Sequence, residues 1–339
     1  MNTALPDRLA RRRLLLGGAA LLAGWAEPAR AAQQRRRDVR ALMGTQVRIA
    51  ALGEPDIVAP AIDAAWCEMA RLAALFSHYS ATSQVAAINL AAGLQPVPVA
   101  AELLDVLAMA GEVSRRSEGA FDLTVGSLGR WHFDPAAPAM PAPDEIRAGL
   151  ANIDWRELWL DRSAGTAMLA RRGMRIDSGG IAKLPILQAG LHTLRSHGVA
   201  TALIDGGGDV VAATAPCAQP WRVGIRDPRM PSRLAGALQI THGFVASSGD
   251  YERCFVRDGR KYHHVLDPRT GYPTTGPHGV TLVADSLEAV NGIGTALMVL
   301  APGAGAALLR ASGVDNALVG GRNGRLQVTP ALQRRLIAA

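Results

Sequence analysis

Residues 262–273 of the chain read YHHVLDPRTGYP, from Tyr262 to Pro273. Two histidines enter a short β-like run, and the residues from Asp267 to Gly271 have the composition of a tight turn. A lone histidine is more often a structural hydrogen-bonding group than a catalyst. His264 lies so close to Asp267, however, that the stretch predicts an imidazole placed for proton transfer or for orientation by the carboxylate.

Two glycine-rich turns precede this stretch. Residues 176–183 read IDSGGIAK, which predicts a strand, a tight turn and a helix start whose N–H groups, with Lys183, would suit a phosphate. Taken alone, the same letters favour a plain strand-to-helix turn in which Gly179 and Gly180 supply unusual backbone angles. Residues 204–211 read IDGGGDVV, a second strand and turn that ends at Asp209. Neither turn matches a Rossmann or a Walker phosphate loop.

Two further segments contain clustered polar side chains. Residues 245–255 read VASSGDYERCF, a polar turn or a hairpin connection. Residues 286–300 read SLEAVNGIGTALMVL, which predicts one amphipathic helix. Asn291 and Thr295 would share a face of that helix, with Glu288 one turn earlier. Such oxygens can hold a hard cation such as Mg²⁺, although a solvated polar face is an equally good interpretation.

The rest of the chain mixes helical and β-like patterns. Val39–Ala51 is β-like, and the short runs after Pro135–Pro143, which reads as a surface loop, are rich in β-formers that end at Gly or Asp. Apolar residues recur at helical spacing over three segments, Ile57–Ala74, Glu102–Gly119 and Ala182–His197. This mixture predicts an α/β or α+β enzyme.

Composition excludes several classes of protein. Of the 339 residues 49% are hydrophobic and 19% charged, which excludes global disorder, and no apolar run approaches the roughly 20 residues of a membrane span. The formal charge of +7 includes five arginines within the first 31 residues, and the 4% of aromatic residues are too few for nucleic-acid stacking. The three cysteines are too far apart in sequence for a metal-ligand motif.

Residues 1–31 have the pattern of an export signal. Arg11–Arg13 precede the apolar run Leu14–Ala26, and Ala29 and Ala31 form an A-x-A cleavage site. Consecutive arginines favour the twin-arginine route, with an ordinary Sec signal as the alternative. We therefore expect a mature protein of residues 32–339 that forms one domain and works in the periplasm.

In their order along the chain these segments resemble the ApbE family, the FAD:protein FMN transferases. The resemblance covers about Met43 to Leu300, nearly the whole predicted mature chain. Its most specific parts are SSGDYER (247–253) and HHVLDPRTGYP (263–273). The other matching motifs are MGT (43–45), FSHYSATSQVAAIN (76–89), GAFDLTVGSL (119–128), IDSGGIAK (176–183), DGGGD (205–209) and GIGTAL (292–297).

The resemblance implies a two-lobed α+β fold of mixed sheets and helices, with FAD bound in a cleft between the lobes. It also implies a reaction that divides FAD at its diphosphate, transfers FMN to a Thr or Ser hydroxyl of an acceptor flavoprotein and releases AMP. A respiratory or nitrous-oxide-reduction membrane protein is one expected acceptor. Two alternatives are a flavin-binding carrier that has weakened or lost transferase activity, and a hydrolase that splits FAD without an acceptor.

The family's site residues carry over by position. The resemblance assigns His264 to activation of the acceptor hydroxyl and Asp267 to the same catalytic turn. It assigns FAD contacts to Met43, Tyr79, Asp177, Lys183, Asp209, Ser248, Gly249, Asp250, Arg269 and Thr270. It assigns Mg²⁺ ligation to the backbone carbonyl of Ala182 and the side chains of Asn291 and Thr295.

The chain departs from the family pattern near this expected metal site. Asn291 stands where the family usually has Asp, and Gln188 stands where an Asp is common. Leu184, Pro185 and Ile186 replace the usual Gly-Tyr-Ala after Lys183. Because Asn is a neutral ligand, we expect a lower Mg²⁺ affinity unless Glu288 or a phosphate compensates. Pro185 is compatible with the first turn of a helix.

Overall fold

The computed structural model describes residues 34–338. The predicted export signal, residues 1–31, lies outside the described residues. Within the described part no helix combines the length and the apolar character needed to cross a membrane.

The strands are mostly short and are distributed along the whole described chain. They are β1 (Gln34–Leu42), β2 (Thr45–Gly53), β3 (Val97–Pro98), β4 (Leu158–Asp161), β5 (Thr166–Leu169), β6 (Thr201–Gly206), β7 (Asp209–Ala213), β8 (Trp221–Arg226), β9 (Leu234–Ile240), β10 (His242–Gly249), β11 (Cys254–Arg257), β12 (Arg260–His263), β13 (Gly279–Ala284), β14 (Asn316–Gly320) and β15 (Leu326–Val328).

The helices alternate with these strands. They are α1 (Pro55–Phe76), α2 (Gln84–Leu90), α3 (Ala101–Arg116), α4 (Pro143–Leu150), α5 (Lys183–Ser196), α6 (Leu287–Val290), α7 (Ile293–Val299), α8 (Pro302–Ala311) and α9 (Pro330–Arg335).

An eight-stranded antiparallel sheet is the base of the fold. Its order is β1-β2-β6-β7-β10-β13-β14-β15, and the register pairs Val47 with Gly206 and Val245 with Val210. A smaller sheet, β3-β5-β4, packs with α2 and α3. The expected α+β class, with mixed sheets and helices, is therefore confirmed.

Both faces of the large sheet are buried, because alternate residues of its strands point to opposite sides. On one face Val211 and Phe244 pack in the main core with α1 and α5. On the other face Val210 and Val245 pack with the β8–β9 hairpin and α9 in a second core. This arrangement fixes the ends of β7 and β10, from which site residues project.

Three helix predictions are confirmed. Ile57–Ala74 lies within α1, Glu102–Gly119 overlaps α3, and Ala182–His197 corresponds to α5. The prediction of one continuous helix over Ser286–Leu300 is wrong, because α6 ends at Val290 and α7 begins at Ile293.

The break between α6 and α7 results from the backbone angles of Asn291 and Gly292. Asn291 is extended, with φ −68° and ψ 126°, and Gly292 is left-handed, with φ +74°. Only glycine adopts a left-handed conformation at little steric cost, so Gly292 allows the chain to leave α6 and restart as α7. Asn291 therefore lies at the corner between the two helices, where it lines a cavity, and not on the face of a helix.

Candidate functional site

A cavity of about 620 Å³ lies where the large sheet meets the turn before α5. The segments that line it come from distant parts of the sequence. They are 43–45, 76–79, 120–125, 177–186, 207–209, 246–253, 264–268 and 290–295.

His264 lines the cavity just after β12. Its Nδ1 faces the carbonyl oxygen of Arg253 at 3.4 Å, and its backbone N–H donates to the same oxygen at 3.2 Å. This arrangement favours the tautomer with the proton on Nδ1, which leaves the Nε2 lone pair for a ligand. Burial, and then the positive charge of Arg253, lowers the pKa of His264 to about 3. The ring is therefore a neutral proton acceptor at ordinary pH.

The carboxylate of Asp267 is bound by Arg269, within its own turn. Its carboxylate accepts two hydrogen bonds from the Arg269 guanidinium, at 2.9 and 2.8 Å, and one from the Arg269 backbone N–H at 3.0 Å. Its own backbone carbonyl accepts from Thr270 and Gly271. Asp267, Arg269 and Thr270 therefore hold the tight turn together, and the residues on either side of Asp267 that reach the cavity are Leu266 and Pro268.

Lys183 begins α5 and faces the cavity. Its Nζ lies 3.0 Å from Oδ2 of Asp209, and Oδ1 of Asp209 accepts the backbone N–H of Ser247 at 2.9 Å. The ammonium, beside the first N–H groups of a 14-residue helix, makes this corner suitable for an anion.

Asp177 occupies the turn before α5. Its Oδ1 accepts the backbone N–H of Gly179 at 2.7 Å and lies 3.2 Å from Nδ1 of His78. The same nitrogen lies 3.3 Å from Oγ of Ser178. Asp177 thus holds both the turn and an imidazole on the cavity wall.

Tyr79 lies at the rim of the cavity with 75% of its surface exposed. Its hydroxyl oxygen accepts a hydrogen bond from Nη1 of Arg253 at 2.9 Å, and its ring lies 3.9 Å from that of His78. An exposed aromatic face held in this way suits stacking against a planar ligand.

Asn291, Thr295 and the Ala182 backbone lie together at another part of the cavity. Nδ2 of Asn291 donates to the carbonyl of Ile181 at 2.9 Å, so Oδ1 is the atom left for a ligand. A methyl group on Gly180 would lie 3.5 Å from Oγ1 of Thr295, which shows how closely this turn approaches α7.

These oxygens fit a hard cation, but only a weakly held one. All three donors are neutral, whereas Mg²⁺ sites usually include one or two carboxylates in addition to substrate phosphates. Glu288 does not compensate, because its side chain is exposed and it does not line the cavity. In residues 34–338 no group of three or more His, Cys, Asp or Glu side chains is arranged to hold a metal.

Asp250 lies outside the cavity, although its neighbours Ser248 and Gly249 line it. Its carboxylate is 1% exposed and contacts Nζ of Lys261 at 2.6 Å and Nδ1 of His278 at 2.9 Å. Burial would raise the pKa of Asp250, but the hydrogen bonds from Lys261 and His278 more than offset burial and lower it. This buried carboxylate therefore holds the chain that follows β10 from outside the cavity.

The structure separates the sequence-predicted residues into two groups. Those that line the cavity are Met43, Tyr79, Asp177, Ala182, Lys183, Asp209, Ser248, Gly249, His264, Asn291 and Thr295. Those that do not are Asp250, Asp267, Arg269 and Thr270. His78 and Arg253 line the cavity without having been predicted. Both lie in quoted motifs, but their partners are remote in sequence and only the fold reveals them.

Comparison with known proteins shows which family the chain is similar to. Residues 43–318 match the model of a family described as the ApbE family. The chain is 34% identical over 251 residues to an FAD:protein FMN transferase from Treponema pallidum, a match that covers 69% of each chain.

Two solved structures are also similar. The ApbE protein of Thermotoga maritima has a TM-score of 0.80 and 29% identity, covering 90% of this chain and 100% of that one. The flavinyl transferase ApbE of Pseudomonas stutzeri, in its apo form, has a TM-score of 0.75 and 26% identity, covering 91% of this chain and 98% of that one.

Proposed function

The chain belongs to the ApbE family, and on that basis we propose how its residues carry out FAD:protein FMN transfer. The enzyme transfers FMN from FAD to a Thr or Ser hydroxyl of an acceptor protein and releases AMP. The observation that carries the assignment of roles is the neutral imidazole of His264, which faces a cavity that also contains the Lys183–Asp209 pair.

His264 acts as the base. Its Nε2 accepts the proton of the acceptor hydroxyl while the hydroxyl oxygen forms a bond to the FMN phosphorus. The bond between that phosphorus and the bridging oxygen breaks, and its electron pair leaves with AMP. The hydrogen-bonding position of Nδ1 at the Arg253 carbonyl supports this role, because it directs Nε2 elsewhere.

Lys183 and the first N–H groups of α5 bind phosphate oxygens and stabilise the charge of the leaving group. Asp209 holds the ammonium at 3.0 Å and keeps it at the cavity wall. Tyr79, at the rim, is placed to cover a planar ring system and to exclude water from it.

A divalent cation would be held by the Ala182 carbonyl, Oδ1 of Asn291 and Oγ1 of Thr295. When bound, such an ion neutralises charge on phosphate oxygens. Because the three ligands are neutral, we propose that the cation binds well only together with the diphosphate of FAD, which supplies the missing negative charge.

The acceptor is proposed to be a flavoprotein with an accessible Thr or Ser, such as a respiratory or nitrous-oxide-reduction membrane protein. Export to the periplasm through residues 1–31 remains part of the same proposal. An acceptor in that compartment would meet an enzyme that had already folded around FAD, if the twin-arginine route is used.

The test is an adduct assay. Residues 32–339 are incubated with FAD, Mg²⁺ and a purified acceptor domain, and the intact mass of the acceptor is measured with AMP release. We expect a mass increase of one FMN and an equal amount of AMP. Replacement of the acceptor Thr by Val is the matched control and should abolish both.

Other outcomes would contradict the proposal. AMP release at the same rate without an acceptor would indicate a hydrolase. Tight FAD binding with no adduct on several acceptors, and with several divalent metals, would indicate a flavin carrier.

A further inference from the structure

Arg253, the residue before β11, presents its guanidinium to the cavity. Nη1 donates a hydrogen bond to the hydroxyl oxygen of Tyr79 at 2.9 Å. Among residues 34–338 this neutral hydroxyl is the only side-chain partner of the guanidinium, which forms no ion pair with a carboxylate. A guanidinium has five N–H donors and keeps its positive charge at any ordinary pH. Most of its donors are therefore available to an anion in the cavity.

The same residue is joined to the proposed base through its backbone. The carbonyl oxygen of Arg253 accepts the backbone N–H of His264 at 3.2 Å and lies 3.4 Å from Nδ1 of the ring. The positive charge of Arg253 lowers the pKa of His264 more than the positive charge of Lys183 does. Because electrostatic interactions weaken with distance, Arg253 is the cation that acts more strongly at the position of the base.

The guanidinium also lies beside the turn before α5. A methyl group on Gly179 would lie 4.0 Å from Nη2 of Arg253, and one on Gly180 would lie 3.5 Å from Oγ1 of Thr295. Two neighbouring glycines thus bring this turn close to the guanidinium and close to the proposed cation ligands. A phosphate bound at the turn would have Arg253 within reach, in addition to Lys183 and the divalent cation.

The chemistry of phosphoryl transfer gives this position a meaning. The attacking and leaving oxygens lie roughly in line on opposite sides of the phosphorus, and negative charge spreads over the nonbridging oxygens between them. His264 is on the attacking side, because its Nε2 takes the proton of the acceptor hydroxyl. Lys183 stabilises the leaving group. A planar guanidinium bonded to the strand of the base and lying beside the phosphate turn is suited to the nonbridging oxygens, to which it can donate two parallel hydrogen bonds.

We propose that Arg253 is a further catalytic residue, whose guanidinium binds the nonbridging oxygens of the FMN phosphate during transfer, and that Tyr79 is its positioning residue. This inference rests on the proposed function for the identity of the ligand and assigns a role to a side chain that had none. Arg253 forms no covalent bond and moves no proton. The proton of the acceptor hydroxyl still goes to His264, and the electron pair of the broken P–O bond still leaves with AMP.

The first test measures binding of the two halves of FAD. Affinities for FMN and for AMP are determined by calorimetry at one fixed concentration of Mg²⁺. Because hydrogen bonds to charged groups are strong, Arg253→Gln should bind FMN about tenfold more weakly and AMP less than about twofold more weakly. Lys183→Gln should weaken AMP binding more than FMN binding. The matched control is Arg257→Gln, an exposed arginine on β11 that does not line the cavity, which should behave as wild type.

The second test measures the rate of FMN transfer in a single turnover. Arg253→Gln should lower this rate by about 100-fold or more, the usual cost of removing a donor to a developing charge. Arg253→Lys keeps the charge without the planar fork and should lose less. Tyr79→Phe keeps the aromatic ring but not the bond to Arg253, so it should slow transfer without weakening flavin binding. Added guanidinium chloride should partly restore transfer by Arg253→Ala and not by Lys183→Ala.

Two results would overturn the role of Arg253. One is equal weakening of FMN and AMP binding by Arg253→Gln, and the other is a transfer rate within about threefold of wild type. If Arg253→Gln fails to fold, unchanged transfer rates in Arg253→Lys and Tyr79→Phe would overturn it as well. Failure of the wild type to form an FMN adduct, alongside the expected difference between FMN and AMP, would contradict the proposed function and not the binding of phosphate by Arg253.

Discussion

The side-chain amide of Asn291 donates a hydrogen bond through Nδ2 to the carbonyl oxygen of Ile181, at 2.9 Å. An aspartate at position 291 could not make this bond, because its carboxylate would place a negative oxygen against a carbonyl oxygen. The amide is therefore compatible with a stable site in the absence of metal, whereas a carboxylate would require a cation beside it.

Asn291→Asp should lower the stability of the metal-free protein and raise its affinity for metal. Position 291 is 3% exposed, so we expect the free energy of unfolding without metal to fall by about 1–3 kcal/mol. Addition of Mg²⁺ should restore most of that loss and should stabilise wild type much less. Thermal unfolding with EDTA and with Mg²⁺ measures both. Asn323→Asp, on an exposed turn, is the control and should show neither effect.

His264→Asn should slow FMN transfer and leave FAD affinity almost unchanged. Loss of a general base lowers rates by about 10²–10⁴-fold, so we expect FMN transfer to fall by at least about 100-fold. FAD affinity should stay within about threefold, because His264 is neutral and contributes little to binding an anion. Single-turnover mass spectrometry gives the rate, and flavin fluorescence gives the affinity. A parallel loss of FAD binding would contradict this role.

The pKa of His264 also predicts how stability depends on pH. In the folded protein the pKa is about 3, whereas an unfolded histidine titrates near 6.5. The unfolded state therefore binds more protons below pH 6.5, and stability is lost as the pH falls. Between pH 7 and pH 5 we expect His264 to account for a loss of at most about 2 kcal/mol. Urea unfolding should show a smaller loss for His264→Asn, and an unchanged loss for the exposed variant His192→Asn.

Asp250→Asn should destabilise the fold without changing the cavity. The carboxylate is 1% exposed and contacts Nζ of Lys261 and Nδ1 of His278, so the substitution removes the negative charge that pairs with the Lys261 ammonium. We expect about 2–3 kcal/mol less stability at pH 7. Because the folded pKa lies below the ordinary value, the difference from wild type should shrink as the pH falls below about 4. Asp258→Asn, whose side chain is 95% exposed, should change stability by less than about 0.5 kcal/mol.

The sequence was sufficient to predict the elements whose signals are local. Apolar spacing located α1, α3 and α5, because each buries one face in the main core. The glycine-rich turns after β6 and before α5 were also located correctly. These features depend on neighbours within a few residues, which a sequence shows directly.

Contacts between residues that are far apart in the sequence cannot be predicted from the sequence alone. His78 and Asp177 meet only because α1 ends beside the turn before α5. The orientation of Asp267 toward Arg269 follows from the side-chain geometry of one turn, and sequence proximity alone favoured His264 as its partner. The break at Asn291 was missed because the apolar spacing of 286–300 continues across Gly292, and only the backbone angle of that glycine reveals the corner.

Gly292→Ala tests whether this corner holds the site together. Gly292 has φ +74°, and a methyl group there would lie 3.0 Å from Cδ1 of Ile181 and 3.2 Å from Cγ1 of Val113. The strain and these contacts should lower the free energy of unfolding by about 1–3 kcal/mol. FAD binding should weaken as well, because Asn291 and the turn before α5 would shift. The matched variant is Gly303→Ala in α8, which meets no atom within 4 Å and should be neutral or slightly stabilising. Equal stability of the two variants would show that the left-handed corner is not required, and FAD binding unchanged in Gly292→Ala would show that Asn291 does not depend on it.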